Sequence, residues 1–590
     1  MCGIVGYLGT GAAQPILLNC LKRLEYRGYD SCGIAVCGSA LKVYKDAVRV
    51  EALAGTAPQL RGVMGIGHTR WATHGAPSQD NAHPHLDCKG KIAVVHNGVI
   101  TNYQRLRGEL MARGHKFTSE TDTEVIPHLI EEYYRGDNLA EAVEQALEEV
   151  DGSYAIAVLA SSEPLVVARK DSPLIIGVND REYFVASDVP AVLDYTDRVI
   201  YLEDGDIGII TGEGVRVRQK GREVGREEHK ILWSIEDAEK AGYEHFMLKE
   251  IHEQPRVIRD TLAGYVSDGL NLGHQLGTGG MLILACGTSY HAALVGKHIV
   301  EELLRVPVRV ELASEFNYQA QALASETTAV VITQSGETAD TLKAMKRLKA
   351  VGCPVLAITN VVGSTAARVA DHTLYTRAGP EISVAATKSF IAQLVVLYWL
   401  VICYSRVDAV RLASLTMELR QLPVKVQAVL DGKGRIIELA RALAKYHDLF
   451  FIGRGGNYPV ALEGALKVKE VAYVHAEGYA AGELKHGPFA LLGKDTPVLA
   501  IVSPDNTYEA MLTSIREVKA RGSPVLAVAQ EGDETIRQLA DWVINVPAVE
   551  TLFSPVVNTV VLQLLAYYIA KERDCPIDFP RNLAKSVTVE

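Results

Sequence analysis

The stretch Lys349-Ala350-Val351-Gly352-Cys353-Pro354-Val355-Leu356-Ala357 recurs 170 residues later as Lys519-Ala520-Arg521-Gly522-Ser523-Pro524-Val525-Leu526-Ala527. A second pair keeps the same order. Cys286-Gly287-Thr288-Ser289-Tyr290 returns in form as Arg454-Gly455-Gly456-Asn457-Tyr458, displaced by 168 residues. Matched order and spacing over this distance mean two tandem copies of one unit, with a boundary near residue 425. Within the copies, continuous apolar runs alternate with long helical patterns. Residues 281–285, 329–332 and 354–358 are such runs. They suit central strands of a parallel sheet covered by helices on both faces, so two doubly wound α/β domains are expected.

The chain upstream reads differently. Up to about residue 220 it is rich in short β-like runs bounded by turn residues, such as 91–96, 154–159 and 165–168. Helical patterns interrupt them near 102–113 and 122–149, the second with Val125, Ile126, Leu129, Ile130 and Tyr133 at helical spacing. A strand-rich layered domain with helices follows. Residues 216–230 are charged and contain glycine, and 233–240 are polar and helix-like, which reads as a linker. The expected division is 2–217 for the first domain, 218–248 for the linker, 249–425 and 426–579 for the α/β domains, and 580–590 for a tail.

A chain of 590 residues is too long for one core. Its net charge of −11 argues against nucleic acid as a partner, which would need basic patches, although a small anionic substrate could still meet a locally basic site. The nine cysteines (Cys2, Cys20, Cys32, Cys37, Cys88, Cys286, Cys353, Cys403 and Cys575) are scattered and never spaced C-x-x-C. That pattern points to a reduced, cytoplasmic protein without a disulfide framework or a zinc site. No basic-then-apolar segment opens the chain, so no signal peptide is expected. The strongest apolar run, 394–404, falls short of the ~20 residues that span a bilayer, so no membrane partner is expected.

Cys2-Gly3-Ile4-Val5-Gly6 follows the initiator methionine. Removal of Met1 would leave a thiol and a free α-amino group on one residue. An α-amino group titrates near ~7.7–8 and a thiol near ~8.5, so the amine can take the thiol proton at neutral pH. Alone, the segment reads equally well as a start codon followed by a small hydrophobe. A thiol nucleophile also needs an oxyanion hole and a grip on its substrate. Arg70, in the run from His68 to Gly75, could hold a carboxylate bidentately. Asn97 and Gly98 follow a strand and offer oxyanion donors. Asp122 could bind an ammonium group, although its position at a helix start favours capping.

Together, 1–6, 26–31, 68–75, 96–98 and 121–122 closely resemble the class II glutamine amidotransferase domain, an N-terminal nucleophile fold of αββα layers. The resemblance implies a glutaminase that forms a glutamyl thioester on Cys2 and releases ammonia. It assigns the oxyanion to Asn97 and Gly98. It gives the α-carboxylate and α-ammonium of glutamine to Arg70 and Asp122, with Thr73 and His74 nearby. Trp71 would sit on a loop that gates ammonia passage, or else serve as a core aromatic.

In the repeated half, Cys286-Gly287-Thr288-Ser289 and Thr333-Gln334-Ser335-Gly336-Glu337-Thr338 each lie between an apolar strand and a helix. Such turns bind phosphate through hydroxyls and amides, but Ser and Thr are also the preferred helix caps. No G-x-x-x-x-G-K-[ST] run is present, which disfavours a nucleotide. Glu463, Lys467 and Glu470 share one helix face, a pattern more commonly that of an exposed salt-bridged helix. His486 lies in a loop, and the chain closes with a compact tail containing Lys585.

These segments resemble the tandem sugar-isomerase (SIS) domains of the isomerizing glutamine–fructose-6-phosphate aminotransferases, and with the first domain the match spans nearly the whole chain. The tandem repeat argues against a class II amidotransferase with a different acceptor. The resemblance implies L-glutamine and D-fructose 6-phosphate as substrates, no metal or organic cofactor, and a homodimer. Cys286, Gly287, Thr288, Ser289, Thr333, Gln334, Ser335 and Thr338 would hold the sugar phosphate, with Val384, Ala385 and Ala584 completing the site. His486, from the partner subunit, would open the sugar ring. Lys585 would form a Schiff base at C2. Glu470 would move a proton between C1 and C2, supported by Lys467 and Glu463.

Overall fold

The computed structural model describes residues 2–72, 74–231, 239–268, 280–320 and 327–588. Thr73, expected near glutamine, and most of the polar stretch 233–240 lie outside them. The chain forms two compact units. One comprises Met1–Ala238 with Glu337–Ala339 and Ala584–Glu590; the other comprises Glu239–Gly336 and Asp340–Leu583.

The first unit stacks an eight-stranded sheet and a seven-stranded sheet, both antiparallel throughout. Gly3–Leu8 lies inside the first sheet between Met64–Arg70 and Glu182–Ala186, so Cys2 directly precedes a fixed strand. Alternation along Ile92–Ile100 assigns its two faces. Ala93 and Val95 join Ile4 and Ile66 between the sheets, while Ile92 and Val94 meet the helices Tyr103–Ala112, Val125–Tyr133 and Leu139–Glu148. Helix Ala13–Arg23 packs on the other sheet, completing the expected αββα layers.

Two expectations change here. The single helical pattern over 122–149 is two helices. Gly136 takes φ +104°, and the Asn138 side chain accepts from Glu141 N at 3.2 Å to start the second. The charged stretch read as the start of the linker instead supplies sheet edges. Arg222–Val224 pairs with Gly214–Gln219, and Glu228–Lys230 pairs with Arg198–Tyr201. Charged side chains suit such edges, where unpaired backbone would otherwise invite association.

The second unit holds two five-stranded parallel sheets of identical order. The first runs Val308–Leu312, Met281–Ala285, Thr328–Thr333, Val355–Thr359, His372–Tyr375. The other runs His475–Ala480, Asp448–Gly453, Val498–Ile501, Val525–Gln530, Trp542–Val546. Both faces of each are apolar. Ile283 and Val330 look into one cluster, and Leu282, Leu284 and Val331 into another. The boundary expected near residue 425 falls inside helix Ala409–Asp431. Helix Ser554–Glu572 is long and apolar enough to cross a membrane by length and composition, yet Ser554 through Ala570 are all buried in protein. In both sheets the strand order reverses between the first two strands in sequence and the third. That switch point opens a crevice at the carboxyl ends of the strands.

Candidate active site

Cys2 sits at the head of its strand. Its Sγ accepts the Trp71 amide at 3.3 Å. Burial pushes the Cys2 thiol up, while the terminal amino group, the Trp71 amide and Arg70 pull the other way. Asn97 Nδ2 donates to the Cys2 carbonyl oxygen at 3.0 Å. His68 fixes that amide. Its Nε2 lies 3.0 Å from both Asn97 Oδ1 and the His96 carbonyl oxygen. Both are acceptors, so Nε2 carries the hydrogen. Burial lowers His68 to about 3, which keeps the ring neutral. Gly98 holds φ +139°, and a Cβ there would stand 2.0 Å from the Ser153 carbonyl oxygen, so the site admits only glycine.

Arg70 ends strand Met64–Arg70 and is buried. Its Nη2 donates to the carbonyl oxygens of His74 and, at 2.9 Å, Gly75. Its Nη1 is buried with no partner among the described residues, an orphaned cation donor suited to a carboxylate. Asp122 is not a cap. The helix begins at Val125, and Asp122 Oδ2 instead accepts the Ile100 amide at 2.8 Å. Its charge acts on both Cys2 and Arg70. His74 packs edge-on against Tyr103 at 5.6 Å, and Trp71 is half-buried beside the thiol. The structure thus groups Cys2, Arg70, Trp71, Asn97 and Asp122, with His68 an orienting residue that sequence reading did not single out.

In the second unit, Cys286 caps helix Gly287–Leu303 with no side-chain bond, leaving the amides of its first turn open at the switch point. Ser289 Oγ accepts from Gln393 Nε2 at 3.0 Å, and Cys286 Sγ accepts from Thr341 at 3.8 Å. Thr333 ends its strand and accepts the Gly336 amide at 3.2 Å. Gln334 and Ser335 form the turn, and Thr338 directly precedes helix Ala339–Ala350. Val384 and Ala385 lie in the buried loop before helix Lys388–Tyr404. Two carboxylates shape that loop. Glu250 accepts the amides of Ile382 and Ser383 (2.6 and 3.0 Å), and Glu381 accepts those of Thr387 and Ser389 (2.9 and 3.0 Å).

The helix face of Glu463, Lys467 and Glu470 is not a solvated one. Glu463 and Lys467 are 0% and 1% exposed. Lys467 Nζ lies 2.5 Å from Glu470, 3.4 Å from Glu463 and 3.2 Å from the Thr288 hydroxyl, which itself donates to Glu463 at 3.1 Å. His291 Nδ1 meets Glu463 at 2.7 Å, a partner missed in the sequence because it comes from the other repeat. Burial works against the Lys467 charge, but Glu470 and Glu463 outweigh it and hold the ammonium above its usual pKa. The first repeat therefore presents an uncapped helix start, and the second sets the Glu463–Lys467–Glu470 face against it, with Glu463 and Lys467 buried and Glu470 half-buried.

His486 does not join this set among the described residues. It is exposed at the end of the short helical stretch Ala481–His486. The tail carrying Ala584 and Lys585 is tied down through Val587, whose carbonyl oxygen accepts the Ala339 amide at 3.0 Å.

Residues 279–403 and 442–572 match the SIS domain family, and residues 68–194 match the glutamine amidotransferase domain family. The chain is 50% identical to the isomerizing glutamine–fructose-6-phosphate aminotransferases of Methanosarcina mazei and Methanothermobacter thermautotrophicus, with 100% of both chains covered in each case. The C-terminal domain of glucosamine-fructose-6-phosphate aminotransferase from Francisella tularensis is similar at 35% identity and a TM-score of 0.55, covering 58% of this chain and 99% of that one. This chain belongs to the isomerizing glutamine–fructose-6-phosphate aminotransferase family.

Proposed function

We propose that the protein converts L-glutamine and D-fructose 6-phosphate to L-glutamate and D-glucosamine 6-phosphate, acting as a cytoplasmic homodimer. One observation carries this reading. A single chain pairs a thiol held at its amino terminus with a Glu–Lys–Glu set, buried at Glu463 and Lys467, at the switch point of a parallel sheet.

In the glutaminase half, Arg70 and Asp122 hold the α-carboxylate and α-ammonium of glutamine. With Met1 removed, the α-amino group takes the Cys2 proton and the thiolate attacks the carboxamide. Asn97 and Gly98 stabilise the oxyanion. The C–N bond breaks, ammonia leaves with the added proton, and water cleaves the thioester to glutamate. His74 and Trp71 flank this site, and Trp71 gates the released ammonia.

In the sugar half, residues 286–289, 333–335 and 338 take the phosphate, and Val384, Ala385 and Ala584 flank the sugar. His486 of a second subunit assists ring opening. The Lys585 amine condenses with C2 and loses water. Ammonia then replaces lysine at C2, which makes the C1 hydrogens acidic. Glu470 removes one from C1 and returns a proton at C2, leaving a C1 aldehyde and a C2 amine. Lys467 and Glu463 set the charge around Glu470. The tail 580–590 closes over the sugar, since protonated ammonia is no nucleophile and water must be kept out.

The test is the Cys2→Ala variant, assayed with both substrates for glutamate and amino sugar. Glutamine-dependent synthesis should vanish while conversion of fructose 6-phosphate to its aldose stays measurable. Unchanged glutamine-dependent synthesis overturns the nucleophile assignment.

A further inference from the structure

Cys88, His115, His128 and Glu131 converge in the first unit and have no part in the chemistry above. Cys88 follows strand His85–Leu86, and His115 lies just past helix Tyr103–Ala112. His128 and Glu131 stand one turn apart on helix Val125–Tyr133. Cys88 Sγ is 3.6 Å from His115 Nδ1 and 3.5 Å from His128 Nδ1. The two Nδ1 atoms are 3.3 Å apart. Glu131 Oε2 is 3.4 Å from His115 Nδ1 and 3.8 Å from His128 Nδ1. All four donor atoms lie within 4.8 Å of one another. Four metal bonds of about 2.0–2.3 Å at tetrahedral angles would separate their donors by about 3.3–3.8 Å. The five separations above fall in that range.

The outward hydrogen bond of His115 leaves a donor atom facing the cluster. His115 Nε2 lies 2.9 Å from Glu132 Oε1. A carboxylate only accepts, so in the neutral ring Nε2 carries the hydrogen and Nδ1 turns a lone pair inward. On His128, Glu124 Oε1 stands 3.8 Å from Nε2, again on the side away from the cluster. His128 Nε2 has no hydrogen-bond partner among the described residues, and the inward lone pair of His115 Nδ1, 3.3 Å from His128 Nδ1, is available to a cation. The surroundings match those of ligands holding a metal. Lys116 N donates to Cys88 Sγ at 3.4 Å, and Cys88 N donates to Glu131 Oε2 at 3.0 Å.

We propose that these four side chains bind one tetrahedral Zn²⁺ ion. A thiolate and a carboxylate neutralise its charge, two neutral imidazoles complete it, and the nitrogen and sulfur donors disfavour Mg²⁺ and Ca²⁺. Binding sends the Cys88 thiol proton to solvent and forms only metal–ligand bonds. Four protein ligands leave no open position, so the ion is structural. It ties helix Val125–Tyr133 to the segments that end the strand His85–Leu86 and the helix Tyr103–Ala112. Sequence reading expected no zinc site because the cysteines are scattered; here only one donor is a cysteine.

The test is metal analysis of the full-length protein, dialysed after exposure to zinc chloride. Wild type should retain one zinc per chain, and Cys88→Ser and His115→Ala should not. With Co²⁺ in place of zinc, wild type should show a thiolate-to-metal charge-transfer band that Cys88→Ser lacks. A chelator should lower the Tm of wild type and leave that of Cys88→Ser unchanged. Cys88 is exposed, so its serine variant should fold. Wild type that retains no zinc, or a Cys88→Ser variant that still holds one per chain, overturns the proposal. None of these readouts uses glutamine or sugar, so the result stands apart from the reaction proposed above.

Discussion

The two parallel-sheet repeats share one strand order but use the same turn in opposite ways. In the first, Cys286-Gly287-Thr288-Ser289 opens a helix whose first amides are uncapped, and Thr288 faces Glu463 and Lys467. In the second, Asn457, which matches Ser289, is closed in on itself. It donates to Ser503 and Ser554 (2.8 and 3.2 Å) and accepts from Asn558 at 3.0 Å. The second repeat does have a cleft at its strand ends, but Asp505, Glu509, Glu531 and Asp533 line it. Four carboxylates repel a phosphate dianion. Duplication thus kept the scaffold in both copies, while in the reading proposed above only the first copy cradles the phosphate and the second contributes the helix with Glu463, Lys467 and Glu470.

The contrast can be broken or sharpened by substitution. Glu470→Gln should have the largest effect, lowering amino-sugar formation about 10²–10⁴-fold while glutamine hydrolysis persists. Near-normal synthesis there would contradict a proton-transfer role. Thr288→Val comes next. Loss of a hydroxyl bonded to a charged group costs about 1.5–3 kcal/mol, so the KM for fructose 6-phosphate should rise about tenfold to a hundredfold. Asn457→Ala, at the position of the second repeat that matches Ser289, should leave that KM unchanged and destabilise the fold by about 1–3 kcal/mol, read from denaturant unfolding. A raised KM would mean that both cradles bind sugar phosphate. Asp505→Asn should do least, staying within about 0.5 kcal/mol in stability with no change in either KM.

The repeat was legible because buried parallel strands leave continuous apolar runs bounded by the same turn residues. Strand order was not, since such runs carry no mark of their neighbours. Cys2 could be placed because Ile4 and Val5 continue it as a strand. Asp122 was misleading: its position just before a helix reads as a cap, and only the distant Ile100 amide reveals its use. The burial of Glu463 and Lys467 was equally hidden, because a charged face at helical spacing looks the same whether it meets water or Thr288 and His291 of the other repeat. The Cys88 cluster leaves just one local trace, the pair His128 and Glu131 on one helix turn. Its other donors arrive from separate segments.

The central claim is that nitrogen freed at Cys2 is the nitrogen that enters the ketose. It can be tested by supplying glutamine labelled with ¹⁵N in its amide together with excess unlabelled ammonium and fructose 6-phosphate. The account predicts amino sugar carrying the label undiluted. Label diluted to the isotopic ratio of the bulk ammonium would contradict it.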